Sequence, residues 1–490
     1  MIKNRWFYFG IFVLGIYFLI RLIDQSKILF MFPLDFANDY SAHMAKVYFL
    51  AKYGYGNIVP NWWGGFPLLK FYHPGSAFFA LPLFYLFNNV QISQYLAILL
   101  IYLFSFVAIF YIGKIQRWSI IKRIAFFLFF FANPISISYL RVGRYGELFG
   151  FFWSIVLFLI IIWYKDHKID KKFLFFIPVY CFLLLSHISV FMVYSSLVFS
   201  LFLIKDLREK IFVFFAGLAG LGLASFWWIP FMIGIKKTFV TNFYGLQKTL
   251  LLKAPYTLGD RVTSFIVPFV FFVVLCLYWK SSIKSKKDLI FYSVPFVLGI
   301  LFFTRLAAYI PFMNRPIPDT YNLYFIFLSL FLLFNIRINR LPNLLKKCIL
   351  LGLIIIPISG VLISYYLTPF FPVYGDLEGE VVSIVPLVDE SFIMIGETGQ
   401  IYANAVYSYA AIKYNLYTPA GWGAESVSNE YRNRLGKLKI DLDNGNCGDF
   451  LSGLKDFKIT DVIAYMDCEK ILQCGLKEKV KKEHFCLLGV

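Results

Sequence analysis

Apolar runs separated by short polar connections occupy most of the first 368 positions of this 490-residue chain. A helix needs about 20 mainly apolar residues to cross a bilayer, so these runs predict about eleven membrane-spanning helices. The first run is not followed by a small-residue cleavage site and is interpreted as an uncleaved helix. The predicted spans lie near residues 5–23, 93–113, 124–139, 147–163, 173–186, 188–204, 211–235, 263–279, 289–305, 321–336 and 348–367.

The distribution of lysine and arginine predicts which side of the membrane each connection faces, because cytoplasmic connections are enriched in both. With the N-terminus in the cytoplasm, the connections near Lys114, Lys165, Lys205 and Lys280 and residues 337–347 are all basic and all cytoplasmic. This arrangement requires that the short run 76–87 be re-entrant or interfacial. Residues 236–261, which the arrangement places outside, are basic as well and depart from the rule.

Composition supports a lipid environment for most of the chain. Hydrophobic residues make up 60% of the sequence and charged residues 15%, and the mean hydropathy is +0.70, which excludes a soluble globular protein. The formal net charge of +19 falls largely in the connections, so it indicates membrane topology and not nucleic-acid binding. We therefore expect an all-α, multi-pass protein of the cell (plasma) membrane.

The end of the chain has a different pattern. Charges and glycines appear from Asp376, and short buried strands are predicted at 391–395 and 462–465, with a helix at 449–457. We therefore divide the chain into a transmembrane part, 1–368, and a small extracytoplasmic α/β domain, 369–490. Four cysteines there fit two disulfides in an oxidising compartment, and four reduced thiols are an equal alternative. They are Cys447, Cys468, Cys474 and Cys486.

The first outer loop, 24–75, carries the first candidate chemistry. Asp35, Asp39 and His43 lie within nine positions, and the spacing of apolar residues predicts a helix over 40–53. Asp39 and His43 then share one helix face. Asp39 can act as a general base or as the N-cap of this helix, and the spacing favours neither. For Asp35 a capping or loop role is favoured, and for His43 a polar contact.

Aromatic and charged residues at other predicted outer positions extend the candidate set. Trp62 and Trp63 can anchor the loop at the headgroups or stack on sugars and isoprenoid chains. Outer arginines can bind a lipid-linked phosphate through their guanidinium fork, or they can pair locally, Arg144 with Glu147 and Arg315 with Asp319. The further candidates are Tyr72, His73, Arg141 and the tight-turn residue His187.

The order of several motifs resembles the GT-C superfamily of polytopic membrane glycosyltransferases. The motifs are FANDYSAH, NWWGGFPLLKFYHPGS, GRYGE, SHIS and FWWIPF, followed by the polar tail. More narrowly, the chain looks like archaeal and bacterial membrane proteins labelled as related to 6-pyruvoyl-tetrahydropterin synthase, a label without a bearing on pterin chemistry. The chain lacks the WWDYG motif of oligosaccharyltransferases, which argues against peptide glycosylation.

The resemblance implies inverting transfer of a sugar from a polyprenyl-phosphate donor to an extracytoplasmic glycan, lipid or protein acceptor. Asp39 is the implied base, with Asp35 as its substitute if the motif alignment is displaced. Arg144 or Arg315 would stabilise the departing phosphate, and an apolar groove beside 76–87 would hold the isoprenoid. No cofactor is indicated; the first outer loop has no DxD-type metal motif, and a divalent metal requirement is left open. The alternatives are a non-catalytic scaffold and a lipid or glycan transporter.

Overall fold

The computed structural model describes residues 5–35, 39–238, 246–251, 258–281, 285–337, 340–396, 401–423 and 427–490. Most of them are helical. The α-helices are α1 (Arg5–Gln25), α2 (Tyr40–Tyr53), α3 (Gly75–Phe87), α4 (Val90–Ile115), α5 (Ile120–Phe131), α6 (Pro134–Val142), α7 (Tyr145–Asp166), α8 (Phe176–Ser186), α9 (Ile188–Ile204), α10 (Leu207–Leu223), α11 (Ser225–Thr238), α12 (Leu258–Ser281), α13 (Lys286–Phe303), α14 (Pro318–Asn335), α15 (Asn343–Leu367), α16 (Asp376–Ile384), α17 (Ala403–Tyr414), α18 (Asn429–Asp443), α19 (Cys447–Asp456) and α20 (Cys468–Leu472). The strands are β1 (Ile58–Val59), β2 (Phe66–Pro67), β3 (Phe392–Ile395), β4 (Asp461–Tyr465), β5 (Lys477–Lys481) and β6 (Phe485–Gly489).

The apolar helices make this a multi-pass membrane protein. Within the described residues, five helices are long and apolar enough to cross a membrane, or up to seven if each of two bent pairs is one span. The pairs are α5 with α6, bent by 58°, and α10 with α11, bent by 71°. The first bend follows from the sequence, because Asn133 caps α6 and Pro134 occupies its first turn. The count of about eleven spans and the sides of the connections stay predictions.

The polar tail contains the predicted sheet. Its strand order is β3-β4-β6-β5; β3 and β4 are parallel, and the other neighbours are antiparallel. The predicted helix and both predicted strands are confirmed within two or three residues. The four cysteines form two disulfides, Cys447–Cys474 and Cys468–Cys486, which tie α19, α20 and β6 together.

The two faces of this sheet belong to different cores. In β3, Phe392 and Met394 join the large core that also contains the membrane helices, whereas Ile393 and Ile395 join a smaller core with α19 and α20. This alternation is the two-residue period of a strand. One continuous apolar core therefore extends across position 368, and the division into two domains at that position stays a prediction.

Candidate active site

The N-terminus of α2 is fixed against the end of α6. The backbone N–H of Asp39 donates to the carbonyl of Val142 at 2.7 Å, and the Tyr40 hydroxyl donates to the carbonyl of Leu140. Gly143 follows with φ +79°, and a Cβ there would lie 2.8 Å from the backbone nitrogen of Tyr40. Glycine is required at this position both for the backbone conformation and for the close approach. The position of Asp39 is therefore set by backbone contacts.

The Asp39 side chain does not act as a helix cap, although it occupies the N-cap position. Its Oδ1 instead accepts a hydrogen bond from the indole N–H of Trp422 at 3.3 Å. The capping alternative is therefore wrong for this side chain, and the general-base role stays a prediction. The Trp422 hydrogen bond also brings into the site a residue from the polar tail, 383 positions away along the chain.

Burial raises the pKa of the Asp39 carboxyl above its ordinary value. The Trp422 hydrogen bond and the cations Lys46 and Arg144 lower this pKa, whereas the negative charge of Glu147 raises it. The first effect prevails, so Asp39 is a stronger base than a solvated aspartate. In its ionised form, a carboxylate of raised pKa is suited to accepting a proton from a hydroxyl.

Aromatic rings enclose Lys46, which is on the same helix as Asp39. Its Nζ lies 3.4 Å from the centroid of the Tyr72 ring and 3.3 Å from that of Trp422, an arrangement that stabilises the ammonium group by cation–π attraction. The His43 ring is 6.2 Å from Trp422 and 5.8 Å from Tyr72. The prediction that Asp39 and His43 share one face of the helix is therefore confirmed.

Three histidines extend the cluster towards α7. The rings of His73 and His187 are 4.5 Å apart, and His187 Nε2 lies 3.5 Å from Glu147 Oε1. Burial lowers the pKa of His43 and of His73 well below the ordinary value, so both rings are neutral. Within the described part of the chain, His43 Nε2, both ring nitrogens of His73 and His187 Nδ1 are buried without a hydrogen-bond partner.

The arginines pair in part differently from the sequence-based expectation. Arg144 Nη1 lies 3.6 Å from Asp319 Oδ2, so the predicted pair of Arg315 with Asp319 is wrong, because the start of α14 lies closer to Arg144 than the sequence could indicate. The charge of Glu147 also acts on Arg144. Arg315 is exposed. The ion pair of Arg141 with Asp35, together with the hydrogen bond from Arg141 Nε to the carbonyl of Phe370 at 3.0 Å, joins the first outer loop to the start of the tail.

The paired tryptophans are buried and contact the tail. Trp62 has no exposed surface, and its ring leaves so little room that a Cβ on Gly421 would lie 2.6 Å from it. The indole N–H of Trp63 donates to the carbonyl of Trp422 at 3.3 Å. Anchoring of Trp62 at the headgroups is therefore wrong, since its side chain packs inside the protein.

An open apolar groove runs along the start of α12. Its volume is about 500 Å³. Arg305 closes one side by donating to Ser264 Oγ at 2.7 Å and to the carbonyl of Arg261 at 2.9 Å. Asp260, in the first turn of the same helix, lies close enough to Arg144 for their charges to interact. The groove is lined by Leu258, Arg261, Val262, Phe265, Ile266 and Arg305.

Solved structures share this architecture, although no family model matches the chain and no curated protein does. The arabinofuranosyltransferase AftD from Mycobacteria aligns with a TM-score of 0.58 at 10% identity, over 97% of this chain and 40% of AftD. The oligosaccharyltransferase AglB from Archaeoglobus fulgidus, in complex with an inhibitory peptide and a dolichol-phosphate, aligns with a TM-score of 0.56 at 8% identity, over 99% and 74%. The apo oligosaccharyltransferase from the same organism gives 0.56 at 10% identity, over 94% and 70%. The chain has the GT-C fold.

The predicted GT-C resemblance is thus confirmed for the fold, while the narrower family resemblance stays a prediction. The chain spans about two fifths of the length of AftD. At such low identities the alignments carry the architecture alone, and the roles of individual residues depend on the geometry described above.

Within the described residues, no group of three metal-ligating side chains lies at Asp39. Among the described residues, the one group of three with suitable ligand atoms is Glu380, Glu483 and His484, in the tail. There Glu380 accepts hydrogen bonds from two backbone N–H groups and contacts His484 Nδ1 at 2.9 Å, so it already ties α16 to β6. Asp39 is instead surrounded by the cations Lys46 and Arg144.

Sequence reasoning missed Lys46 and Trp422. Lys46 could have been found, because it follows Asp39 and His43 at the helical spacing i, i+4, i+7, on a helix whose face is buried. Trp422 carries only a weak signal, as a tryptophan between Gly421 and Gly423 in a polar region. Nothing local indicates which partner its indole contacts.

Proposed function

We propose that this protein is a membrane glycosyltransferase that moves a sugar from a polyprenyl-phosphate-linked donor to a hydroxyl group of an extracytoplasmic glycan, lipid or protein. The proposal is carried by one observation: the partly exposed carboxylate of Asp39 has a raised pKa and lies among cations and buried, unpartnered histidine nitrogens. The GT-C fold supports the reaction class. No nucleic acid enters the reaction.

In the proposed reaction, Asp39 is the general base of an inverting displacement. The acceptor hydroxyl attacks the anomeric carbon and transfers its proton to the Asp39 carboxylate, while the bond from that carbon to the phosphate oxygen breaks. At the anomeric carbon one bond forms and one breaks, the proton moves from the acceptor oxygen to the carboxylate, and the electron pair of the broken carbon–oxygen bond departs with the lipid phosphate. Base catalysis of this kind contributes about 10²- to 10⁴-fold to the rate.

Arg144 is the proposed partner of the departing phosphate. Its guanidinium lies close enough to Asp39 for their charges to interact, and its pairing with Asp319 is loose, at 3.6 Å. A phosphate offers the guanidinium a bidentate partner of higher charge. The apolar groove along the start of α12 is a second candidate position for the isoprenoid chain. The first is the predicted position beside residues 76–87. Exposed Arg315 has less support than Arg144.

The histidines are the proposed contacts of the transferred sugar. Buried polar atoms without partners are unfavourable, and a ligand that supplies hydroxyl groups removes this cost. The unpartnered nitrogens of His43, His73 and His187 would satisfy hydroxyls of a pyranose or furanose ring, and the Tyr72 ring lies beside His43 and His73. Trp62 and Trp63 contribute indirectly, by holding the tail.

The extracytoplasmic position of the site is part of the proposal. Two disulfides in the tail support it, because such bonds persist in oxidising compartments. AglB, with which this chain shares its fold, was solved with a bound dolichol-phosphate, and this supports a lipid phosphate as the donor here.

The test uses purified protein in lipid nanodiscs with radiolabelled polyprenyl-phosphate sugars and a mixture of glycan acceptors. We expect labelled product from the natural protein and a loss of about 10²-fold or more in Asp39→Asn. Asp443→Asn, which changes an exposed carboxylate of the tail, is the matched control and should retain full activity. Unaltered turnover in Asp39→Asn would reject the assignment of the base. In sealed proteoliposomes, movement of labelled lipid across the membrane without product would favour the transporter instead.

A further inference from the structure

A segment of the tail reaches the proposed base from the other end of the chain. This segment, residues 415–423, follows α17 and includes Trp422, whose indole N–H contacts Asp39. Among the described residues, no protein hydrogen bond other than this one reaches the Asp39 carboxylate. The second carboxylate oxygen, Oδ2, is therefore the one left for a ligand.

Hydrogen bonds fix the 415–423 segment to the first outer loop. The backbone N–H and the hydroxyl of Thr418 both donate to the carbonyl of Asn61 at 3.0 Å, and Asn61 Nδ2 donates to the carbonyl of Leu416 at 3.0 Å. Trp63 donates to the carbonyl of Trp422 itself. Each contact joins residues about 350 positions apart, so the segment is an integral wall of the site.

The plane of the Trp422 ring is also fixed. Lys46 Nζ lies 3.3 Å from the centroid of this ring, and the Tyr72 ring packs edge-on against it with centroids 4.7 Å apart. A ring held on its face and at its edge cannot turn its N–H away from Asp39 without losing these contacts. The direction of the hydrogen bond is thereby set before a substrate binds.

We propose that Trp422 is a positioning residue of the transfer reaction: its indole N–H holds Oδ1 of Asp39 and so directs Oδ2 towards the acceptor hydroxyl. This inference rests on the proposed function. It makes the tail a part of the reaction machinery, because the base is aimed correctly only when residues 415–423 are docked. A misplacement of about 1 Å at such a group costs about 10²-fold in rate.

The charges that face Asp39 determine how the loss of Trp422 should appear in a pH profile. Lys46 of α2 and Arg144 beside α7 favour the ionised carboxylate, and Glu147 of α7 disfavours it. Without the indole hydrogen bond, the ionised form loses stabilisation and the pKa of Asp39 rises further. The rate of a base-catalysed reaction should then begin to fall at a higher pH.

The experiment compares Trp422→Phe with the natural protein. We expect the acidic limb of kcat/KM against pH to move to higher pH by about one unit, which is a tenfold loss of rate on that limb. Carbodiimide labelling of Asp39, followed by peptide mass spectrometry, should shift in the same direction, because only the protonated carboxyl reacts. Trp163→Phe is the matched control. It makes the same substitution at an exposed tryptophan in the last turn of α7, whose ring stacks on His167, so its acidic limb should stay at the natural pH.

Gly423→Ala provides a second variant in case Trp422→Phe does not fold. Gly423 has φ +86°, so alanine strains the backbone that directs Trp422 while the indole is retained, and a smaller shift of the same sign is expected. If Trp422→Phe is active and both its acidic limb of kcat/KM and the pH midpoint of its carbodiimide labelling are unchanged, the positioning role of Trp422 is overturned while the proposed function stands. A natural protein that transfers no sugar would overturn the proposed function and, with it, the positioning role.

Discussion

At the scale of single residues, two aspartates of one loop have opposite environments. Asp35 forms an ion pair with Arg141, whereas Asp39 accepts one hydrogen bond from a neutral indole and lies among charges that do not pair with it directly. The sequence could not separate base from helix cap at Asp39, because an aspartate before a helix suits both. The deciding partner, Trp422, lies 383 positions away.

The raised pKa of Asp39 predicts a gain in stability when its charge is removed. The folded protein binds this proton more tightly than the unfolded chain, so the stabilisation is full below the ordinary carboxyl pKa and is lost as the pH rises through the raised value. At pH 7 the ionised carboxylate therefore costs stability. We expect Asp39→Asn to melt at or above the temperature of the natural protein at pH 7, with a difference that shrinks at acidic pH.

Asp35→Asn is the control for this measurement. It breaks an ion pair in which the Arg141 side chain is only 6% exposed, and such a loss costs about 3 kcal/mol. Its melting temperature should fall clearly, as followed by differential scanning fluorimetry in detergent. Equal destabilisation by both substitutions would contradict the contrast between the two aspartates.

At the scale of elements, local patterns were predicted well and breaks between helices were not. The helix Tyr40–Tyr53 was expected at the bounds that α2 has, since its spacing and its following glycine are local signals. The runs 124–139 and 211–235 are each predicted as one span, and in the structure each is a pair of helices bent by more than 40°. Average hydropathy is insensitive to a break of two residues, even where Pro134 marks it.

Gly143 predicts how the end of α6 controls the base. Alanine there meets both an unfavourable φ of +79° and the backbone of Tyr40 at 2.8 Å, so α2 must shift and carry Asp39 with it. We expect Gly143→Ala to lower kcat by about 10²-fold. Gly56→Ala is matched in backbone, with φ +78° and no atom within 4 Å of the added Cβ. Gly56→Ala should lose about 1 kcal/mol of folding stability and keep its kcat. A similar loss of kcat in both variants would show that backbone strain, and not the shift of α2, lowers the activity.

At the scale of the whole molecule, the site depends on contacts between the two ends of the chain. The tail contributes Trp422, and Asn61 and Trp63 of the first outer loop hold it in place. The sequence predicted the tail as a small α/β domain, and its sheet is there. Its docking could not be predicted, because the joining contacts involve backbone carbonyls and small residues such as Gly421 that have no characteristic pattern.

The side of the membrane on which the tail lies can be tested by labelling. In a variant in which Cys181, Cys276 and Cys348 are serine, we would introduce Met466→Cys in the tail or Arg117→Cys in a predicted cytoplasmic connection. Both positions are exposed. An impermeant maleimide should label position 466 in intact cells and position 117 only after permeabilisation. Labelling of both from one side would refute the predicted arrangement.

The shared core has a consequence for how the tail can be studied. Phe392, Met394 and Leu487 of the sheet, and Val406 of α17, are buried against the same apolar mass as the membrane helices. Cutting the chain near residue 369 would expose this buried apolar face to water, and exposed apolar surfaces of this kind promote aggregation. In an isolated tail fragment the disulfide-bonded face of the sheet would keep its own core, whereas the other face would have no partner. Crystallisation or binding studies would therefore need the intact chain in lipid.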